Sequence, residues 1–234
     1  MKLIATLLSV ILLFSQMGFA DDALRIKALK DQIITMAKDF EGQGDADFSK
    51  QKALDVLVEE LVLLAPQKPV KDRISVIAGV WRQVWGKYDY RNEDRGIDPE
   101  LGIEEIYQVV NEKGYYYNVS YLYKDGDRNQ KRIGLLRGKF KLDKQDSNSL
   151  KVKFTDYPGA SKKSDNVPLW ALAEMAENKT LPNRITIVSS WIVRWFFGGG
   201  TLREAYTDKD LRIVYGASGG VKENETIYVM TRVQ

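Results

Sequence analysis

Apolar residues near the start of the chain recur at three- and four-residue steps, the period of an amphipathic helix. The pattern predicts a first helix that ends near Phe40 and a second over Ser49–Leu64, which Pro66 terminates. Two helices alone bury too little apolar surface to be stable in water. We therefore expect a helical hairpin over residues 21–66 that packs against another part of the chain.

From Ile77 onward the period changes to two, which is typical of β-strands with one buried face. A strand is predicted to begin near Trp81, and the later ones cover Ile103–Val110, Tyr115–Lys124, Arg132–Leu142, Leu150–Thr155, Arg184–Ser189, Leu202–Tyr206, Leu211–Tyr215 and Thr226–Val233. A short helix is predicted over Leu169–Glu177. About eight short antiparallel strands separated by turn signals indicate a barrel or sandwich. The expected fold is mainly β, with the β domain over residues 67–234.

The first predicted strand opens on Gly79-Val80-Trp81, the Gly-x-Trp form found at the start of lipocalin barrels. The glycine lets the chain turn into the barrel, and the indole closes one end while a cation stacks on it. Either Arg232, on the last predicted strand, or Arg212, on the strand before it, is expected to supply that cation.

The C-terminal part carries a longer pattern. The run Tyr206–Ile213 is followed by Gly216, the pair at 219–220 and the strand segment Tyr228–Met230. This order resembles the end of the plastid lipid-associated protein (fibrillin) family, and the opening Gly79–Arg82 is also similar to that family. The resemblance covers roughly residues 50–234 and implies a lipocalin-like barrel that associates with lipids or other hydrophobic molecules, without catalysis.

This chain departs from that family at several points. Thr207 stands where the family favours leucine, and Tyr215 where a basic residue is usual. The plant members also carry transit peptides, whereas this chain begins with a different kind of segment.

Lys2 is followed by an apolar run from Leu3 to Phe14, and small residues precede the bond between Ala20 and Asp21. These are the three regions of a cleavable secretory signal. The run of about 12 residues is shorter than the roughly 20 that a membrane-spanning helix needs, so an uncleaved anchor is the weaker alternative. We expect residues 1–20 to be removed and the protein to be exported, with a bacterial periplasm as its compartment.

The amino-acid composition argues against several classes of function. The chain contains neither cysteine nor histidine, so it lacks thiolates, the commonest general base and the commonest metal ligand. A net charge of only +3 provides no strong field to attract nucleic acid. We therefore expect no catalytic residue, no metal, no cofactor and no nucleic-acid partner.

Two aromatic groups are the candidate ligand contacts. Trp191, Trp195, Phe196 and Phe197 form a cluster that either packs in the barrel core or rim, or forms an exposed edge that contacts a ligand or a membrane surface. Tyrosines of Tyr115–Tyr123 share one face of a predicted strand. Aromatic side chains that line a barrel suit a ligand pocket, although a barrel filled by its own side chains would show the same pattern.

Asp208 and Asp210 lie in a predicted turn, where carboxylates accept backbone N–H bonds. On an extended segment they would share a face about 7 Å apart, a spacing usable by a hydrolase. In a polar turn both are solvated and lack the burial that raises the pKa of a general acid, which disfavours catalysis.

The sequence thus predicts an exported, non-enzymatic protein that holds a lipid or other small hydrophobic molecule in a β-barrel. The predicted ligand-binding residues are Trp81, Tyr117, Tyr121, Trp195 and Arg212. The alternative is an envelope protein–protein interaction module with a filled barrel, in which the helical hairpin or the aromatic edge docks a partner.

Overall fold

The computed structural model describes residues 2–87, 101–124, 127–156, 199–218 and 225–233. Three helices precede a β-barrel in this chain. They are α1 (Lys2–Asp39), α2 (Ser49–Leu64) and α3 (Val70–Ile77). The helical hairpin predicted from the apolar period is confirmed, and α2 has the predicted bounds. Helix α1 runs without a break through the predicted cleavage site after Ala20. Within the described part of the chain, no helix combines the length and the apolarity that crossing a bilayer requires.

Eight strands follow the helices and close into one barrel. They are β1 (Gly79–Gly86), β2 (Leu101–Asn111), β3 (Tyr115–Lys124), β4 (Asp127–Leu142), β5 (Ser149–Asp156), β6 (Gly200–Thr207), β7 (Leu211–Ser218) and β8 (Thr226–Arg232). Each strand pairs antiparallel with the next, and β8 returns to β1. The predicted mainly β fold with an antiparallel barrel is confirmed. The predicted strand Arg184–Ser189 and helix Leu169–Glu177 lie outside the described residues.

Strand register fixes which side chains face the barrel interior. Trp81 pairs with Gln108, and Gln108 pairs with Asn118, so these three share one face. That face is the inner one, because Trp81 belongs to a buried cluster contributed by strands on every side of the barrel and by α3. The buried members of this cluster are Val70, Ile77, Trp81, Val110, Tyr116, Phe140, Leu150, Val152, Leu202, Val214 and Met230.

The helical hairpin packs against the outside of the barrel over β1 and β6–β8. Apolar residues of both helices, among them Ile33 and Leu54, form a second core with strand residues that include Trp85 and Ile213. Each of these four side chains is fully buried. The Trp85 indole N–H donates to the Gln43 carbonyl at 2.9 Å, which fixes the loop between the helices against β1. The second core explains why the hairpin needs the barrel.

Helix α3 closes one end of the barrel, and the periodic pattern did not predict it. Val70 and Ile77 are fully buried and Ile74 packs against the same core, so the apolar residues follow helical spacing, but over only eight residues. Arg73 of α3 fixes the helix to β6 and to the segment before it, because its guanidinium donates to the carbonyls of Glu204 at 2.6 Å and Lys68 at 2.8 Å. The connections at the opposite end of the barrel fall in residues outside the described ranges.

Candidate functional site

The end of the barrel next to α3 is sealed by a tryptophan and an arginine. The Arg232 guanidinium carbon lies 4.1 Å from the centre of the Trp81 ring, so Arg232 supplies the stacked cation that the Gly-x-Trp motif predicted. The Trp81 indole N–H donates to the Ile77 carbonyl at 2.7 Å, and Arg232 Nη1 donates to the Ala78 carbonyl at 3.0 Å. Burial, followed by the nearby positive charge of Arg212, lowers the pKa of Arg232.

Gly79 makes this arrangement sterically feasible. Its φ of +137° lies in a region that other residues rarely adopt. A Cβ atom at this position would overlap Nη1 of Arg232. The motif therefore needs glycine for two reasons, the turn into β1 and the close approach of the arginine.

Arg212 serves a different role, as part of a buried polar network above this seal. Its side chain and that of Glu204 are both 0% exposed. Arg212 Nε and Nη2 donate to the two Glu204 carboxylate oxygens at 2.9 and 2.5 Å, and Nη1 donates to Gln108 Oε1 at 2.8 Å. The Thr207 hydroxyl donates to Glu204 at 3.3 Å. The planar fork of arginine suits this paired recognition of a carboxylate.

The barrel interior becomes more accessible away from α3. Near α3 the inward-facing side chains are almost fully buried, with Trp81 and Met230 at 0% and Leu150 at 1% exposure. In the other half, the inward-facing side chains whose burial is described are only partly buried: Ile106, Asn118, Ser120, Leu136, Phe154 and Tyr228. Because these residues point inside a closed barrel, their exposure indicates open space in this half of the interior.

One polar atom in this half has no partner. Asn118 Oδ1 is buried and accepts no hydrogen bond from any described residue. This oxygen has almost no accessible surface, although the Asn118 residue as a whole is partly exposed. Nearby, Tyr116 and Phe154 stand 6.4 Å apart between ring centres, and burial raises the pKa of Tyr116 well above its ordinary value.

Tyr228 forms another wall of this space. It pairs with Gly86 on β1 and with Val214 on β7. A Cβ on Gly86 would stand 2.9 Å from the Tyr228 ring, and a Cβ on Gly216 would stand equally close. The two glycines thus leave room for one aromatic ring across the inner surface. Sequence reasoning missed Tyr228 and Asn118, because alternation defines two faces without telling which of them is inside.

Two of the predicted ligand contacts lie elsewhere. Tyr117 and Tyr121 alternate with Asn118 on β3, so they are on the outer face, where they are 0% and 1% exposed. The Tyr121 ring contacts Tyr107 edge-on at 5.4 Å on that face. This placement corrects the expectation that they line the barrel interior. The structure brings Trp81 and Arg212 together at the closed end, while Trp195 and its aromatic neighbours lie outside the described residues.

The predicted turn carboxylate is confirmed as a structural element. Asp208 Oδ1 accepts the backbone N–H groups of Asp210 and Leu211 at 2.8 and 2.9 Å. Its other oxygen accepts from Lys30 Nζ at 2.5 Å and from the Tyr206 hydroxyl at 2.9 Å. Burial raises the pKa of Asp208, but these bonds outweigh it and hold the pKa below its ordinary value. A carboxyl group with a lowered pKa is a poor proton donor.

Comparison with known proteins adds no relative from which a function could be transferred. No protein-family model matches the chain, and no curated protein is significantly similar to it in sequence.

Proposed function

We propose that this protein is a non-enzymatic binding protein that holds a lipid or other small hydrophobic molecule in the half of the barrel away from α3. The accessibility gradient along the interior carries the proposal. Side chains next to Trp81 are buried, whereas inward-facing Ile106, Leu136 and Phe154 remain partly accessible. Ligand pockets are concave and mostly apolar with a few placed polar groups, which describes this half of the barrel.

The free energy of binding comes from enclosing the apolar surface of the ligand. Burial of about 200 Å² of apolar ligand surface contributes about 5 kcal/mol before the entropic cost of association is subtracted. Asn118 is a partly exposed polar side chain in this half, and its amide is the group that a hydroxyl or amide of the ligand would meet. The Trp81–Arg232 stack and the Arg212–Glu204 pair form a rigid floor below the ligand.

The test is a titration of the purified protein with the fluorescent apolar probe phenylnaphthylamine, followed by displacement with n-decanol. Ser120→Phe places a ring in the accessible half and is expected to weaken probe binding by about tenfold or more. Ser147→Phe makes the same change at an exposed turn residue and is the matched control. Equal binding by both variants, with unchanged circular dichroism, would contradict a site inside the barrel.

Asn118→Leu separates the polar contact from enclosure. The variant is expected to bind n-decane as the unaltered protein does and n-decanol several-fold more weakly, because the hydroxyl loses the Asn118 amide as its polar partner. An equal loss for both molecules would show that the residue only shapes the pocket.

The compartment and the family likeness are part of this proposal. Downstream of the predicted cleavage site, Arg25 of α1 donates to Glu60 of α2. Export followed by cleavage predicts that the protein purified from the cell envelope starts at Asp21, which N-terminal sequencing can check. The resemblance to plastid lipid-associated proteins supports an apolar ligand, and export makes that ligand an envelope molecule.

The interaction module remains the second candidate, because α2 presents apolar side chains to solvent. Val56 and Leu63 lie seven residues apart and are 65% and 80% exposed. A docking role predicts that Leu63→Lys abolishes complementation of a deletion strain while Ser120→Phe does not. The ligand-binding role predicts the opposite pair of results.

A further inference from the structure

A groove of about 960 Å³ lies outside the barrel, between α2 and the strands β6 and β7. Its apolar wall consists of Phe48, Val58, Val62, Leu63, Pro66 and Ala205. Leu63 is 80% exposed at the rim. The volume is that of a small-molecule site, and the groove does not use the accessible half of the barrel interior.

The charged residues of the groove lining are mostly acidic. Apart from Glu204, which is paired with Arg212, the groove is lined by four carboxylates and two cations: Asp55, Glu59, Asp146, Glu225, Lys52 and Arg203. The complete chain carries a net charge of +3, so this groove is a local negative region on a slightly basic protein. Such a region attracts cations rather than anions.

Arg203, one of the two cations of the lining, is already paired, and its side chain is 35% exposed. Arg203 donates to Glu225 from Nε at 3.1 Å and from Nη2 at 2.6 Å, and its guanidinium carbon lies 4.2 Å from the Tyr215 ring centre. Since the pair is internally neutral, neither residue accounts for the excess negative charge. That charge comes from α2 and from the turn before β5.

On α2, Asp55 and Glu59 are four residues apart and both line the groove. Like charges at this spacing destabilise a helix. The Tyr215 hydroxyl donates to Asp55 Oδ1 at 2.5 Å and holds this carboxylate toward the groove. Burial, opposed by that hydrogen bond, raises the pKa of Asp55 above its ordinary value. Glu59 has no hydrogen bond or ion pair within the described part of the chain.

An ammonium group has three donors and no acceptor. The carboxylate oxygens of Asp55 and Glu59, which both line the groove, are acceptors that match this donor set.

We propose that this groove binds an amphipathic organic cation, a primary ammonium group carried on an aliphatic chain. The ammonium group pairs with Asp55 and Glu59, and the chain covers Leu63 and its apolar neighbours. The apolar wall distinguishes this ligand from a bare metal cation, which would gain nothing from it. The charge distinguishes it from the uncharged molecule proposed for the barrel.

The test is isothermal titration with n-hexylammonium, compared with n-hexanol as its uncharged analogue. Saturable binding of one n-hexylammonium per chain is expected, at least about tenfold tighter than n-hexanol. Glu59→Gln is expected to weaken the ammonium by about threefold to tenfold and to leave n-hexanol unchanged. Glu112→Gln removes the same charge from an exposed turn between β2 and β3 and is the matched control.

Asp55→Asn is a second variant that removes a carboxylate charge from the groove. We expect the fold to be retained, because the asparagine oxygen still accepts a hydrogen bond from the Tyr215 hydroxyl. Backbone amide shifts on addition of n-hexylammonium are expected in α2 and β6, and Ser120→Phe in the barrel is expected to leave the affinity unchanged. Three results would each overturn the proposal: n-hexanol binding as tightly as the ammonium, Glu59→Gln behaving like Glu112→Gln, or shifts confined to the barrel interior. Because Ser120→Phe and Glu59→Gln act on separate sites, failure here is distinguishable from failure of the barrel proposal.

Discussion

Arg212→Met is the substitution that most severely tests the buried network of the barrel. Methionine keeps an unbranched side chain of similar length but removes three hydrogen bonds, two to Glu204 and one to Gln108. Because Glu204 is 0% exposed in its side chain, its charge is left buried and unpaired. Breaking a buried ion pair from one side costs about 3–5 kcal/mol, a large part of the 5–15 kcal/mol that typically stabilises a domain.

The free energy of unfolding is measured by urea denaturation, with tryptophan fluorescence and circular dichroism as the two probes. Glu204→Leu combined with Arg212→Met is the matched control, because it removes the stranded charge and leaves Gln108 in the same state. The double variant is expected to recover most of the loss, so the two substitutions are strongly non-additive.

A loss below about 1 kcal/mol in Arg212→Met would refute the account of a dry, paired network.

Three further predictions concern the end of the barrel next to α3 and the N-terminus. Gly79→Ala is expected to lower the free energy of unfolding by about 1–3 kcal/mol, because the new Cβ meets Arg232 and the backbone has φ +137°; a neutral result in urea denaturation would contradict the need for glycine. Asp208→Asn is expected to cost about 1 kcal/mol at neutral pH by weakening the contact with Lys30. Since the native pKa of Asp208 is lowered from 3.8, this stabilisation is lost as pH falls below that value, and an unchanged difference at lower pH would argue against it. A chain that starts at Asp21 is expected to unfold at the same temperature as the full chain, and a large drop in a thermal scan would show that the preceding residues contribute to the fold.

Periodicity predicted most of the fold because successive side chains of a strand point to opposite faces of the sheet. The Tyr115–Lys124 prediction and the observed β3 have the same bounds. The pattern could not tell which face of that strand points inward, since both Tyr116 and Tyr117 are buried. The inward face of β3 is identified only by the strand pairing of Trp81 with Gln108 and of Gln108 with Asn118. Strand register is a property of the assembled sheet.

The parts of the site that sequence reasoning missed depend on contacts between distant segments. Glu204 is a surface-type residue that becomes buried only because Arg212 lies beside it on the next strand. Helix α3 was not predicted because its eight residues are too short a segment for the helical spacing of Val70, Ile74 and Ile77 to be distinguished. By contrast, the carboxylates Asp55 and Glu59 at helical spacing were visible in the sequence and could have indicated the groove.

The central claim is that the half of the barrel away from α3 holds an apolar molecule. The most direct measurement is organic extraction and mass spectrometry of the protein purified from its native envelope without detergent, with Ser120→Phe prepared in parallel. The account predicts about one equivalent of a hydrophobic molecule per chain in the unaltered protein and a large loss in the variant. An unaltered protein that yields no such molecule and does not bind phenylnaphthylamine would contradict it.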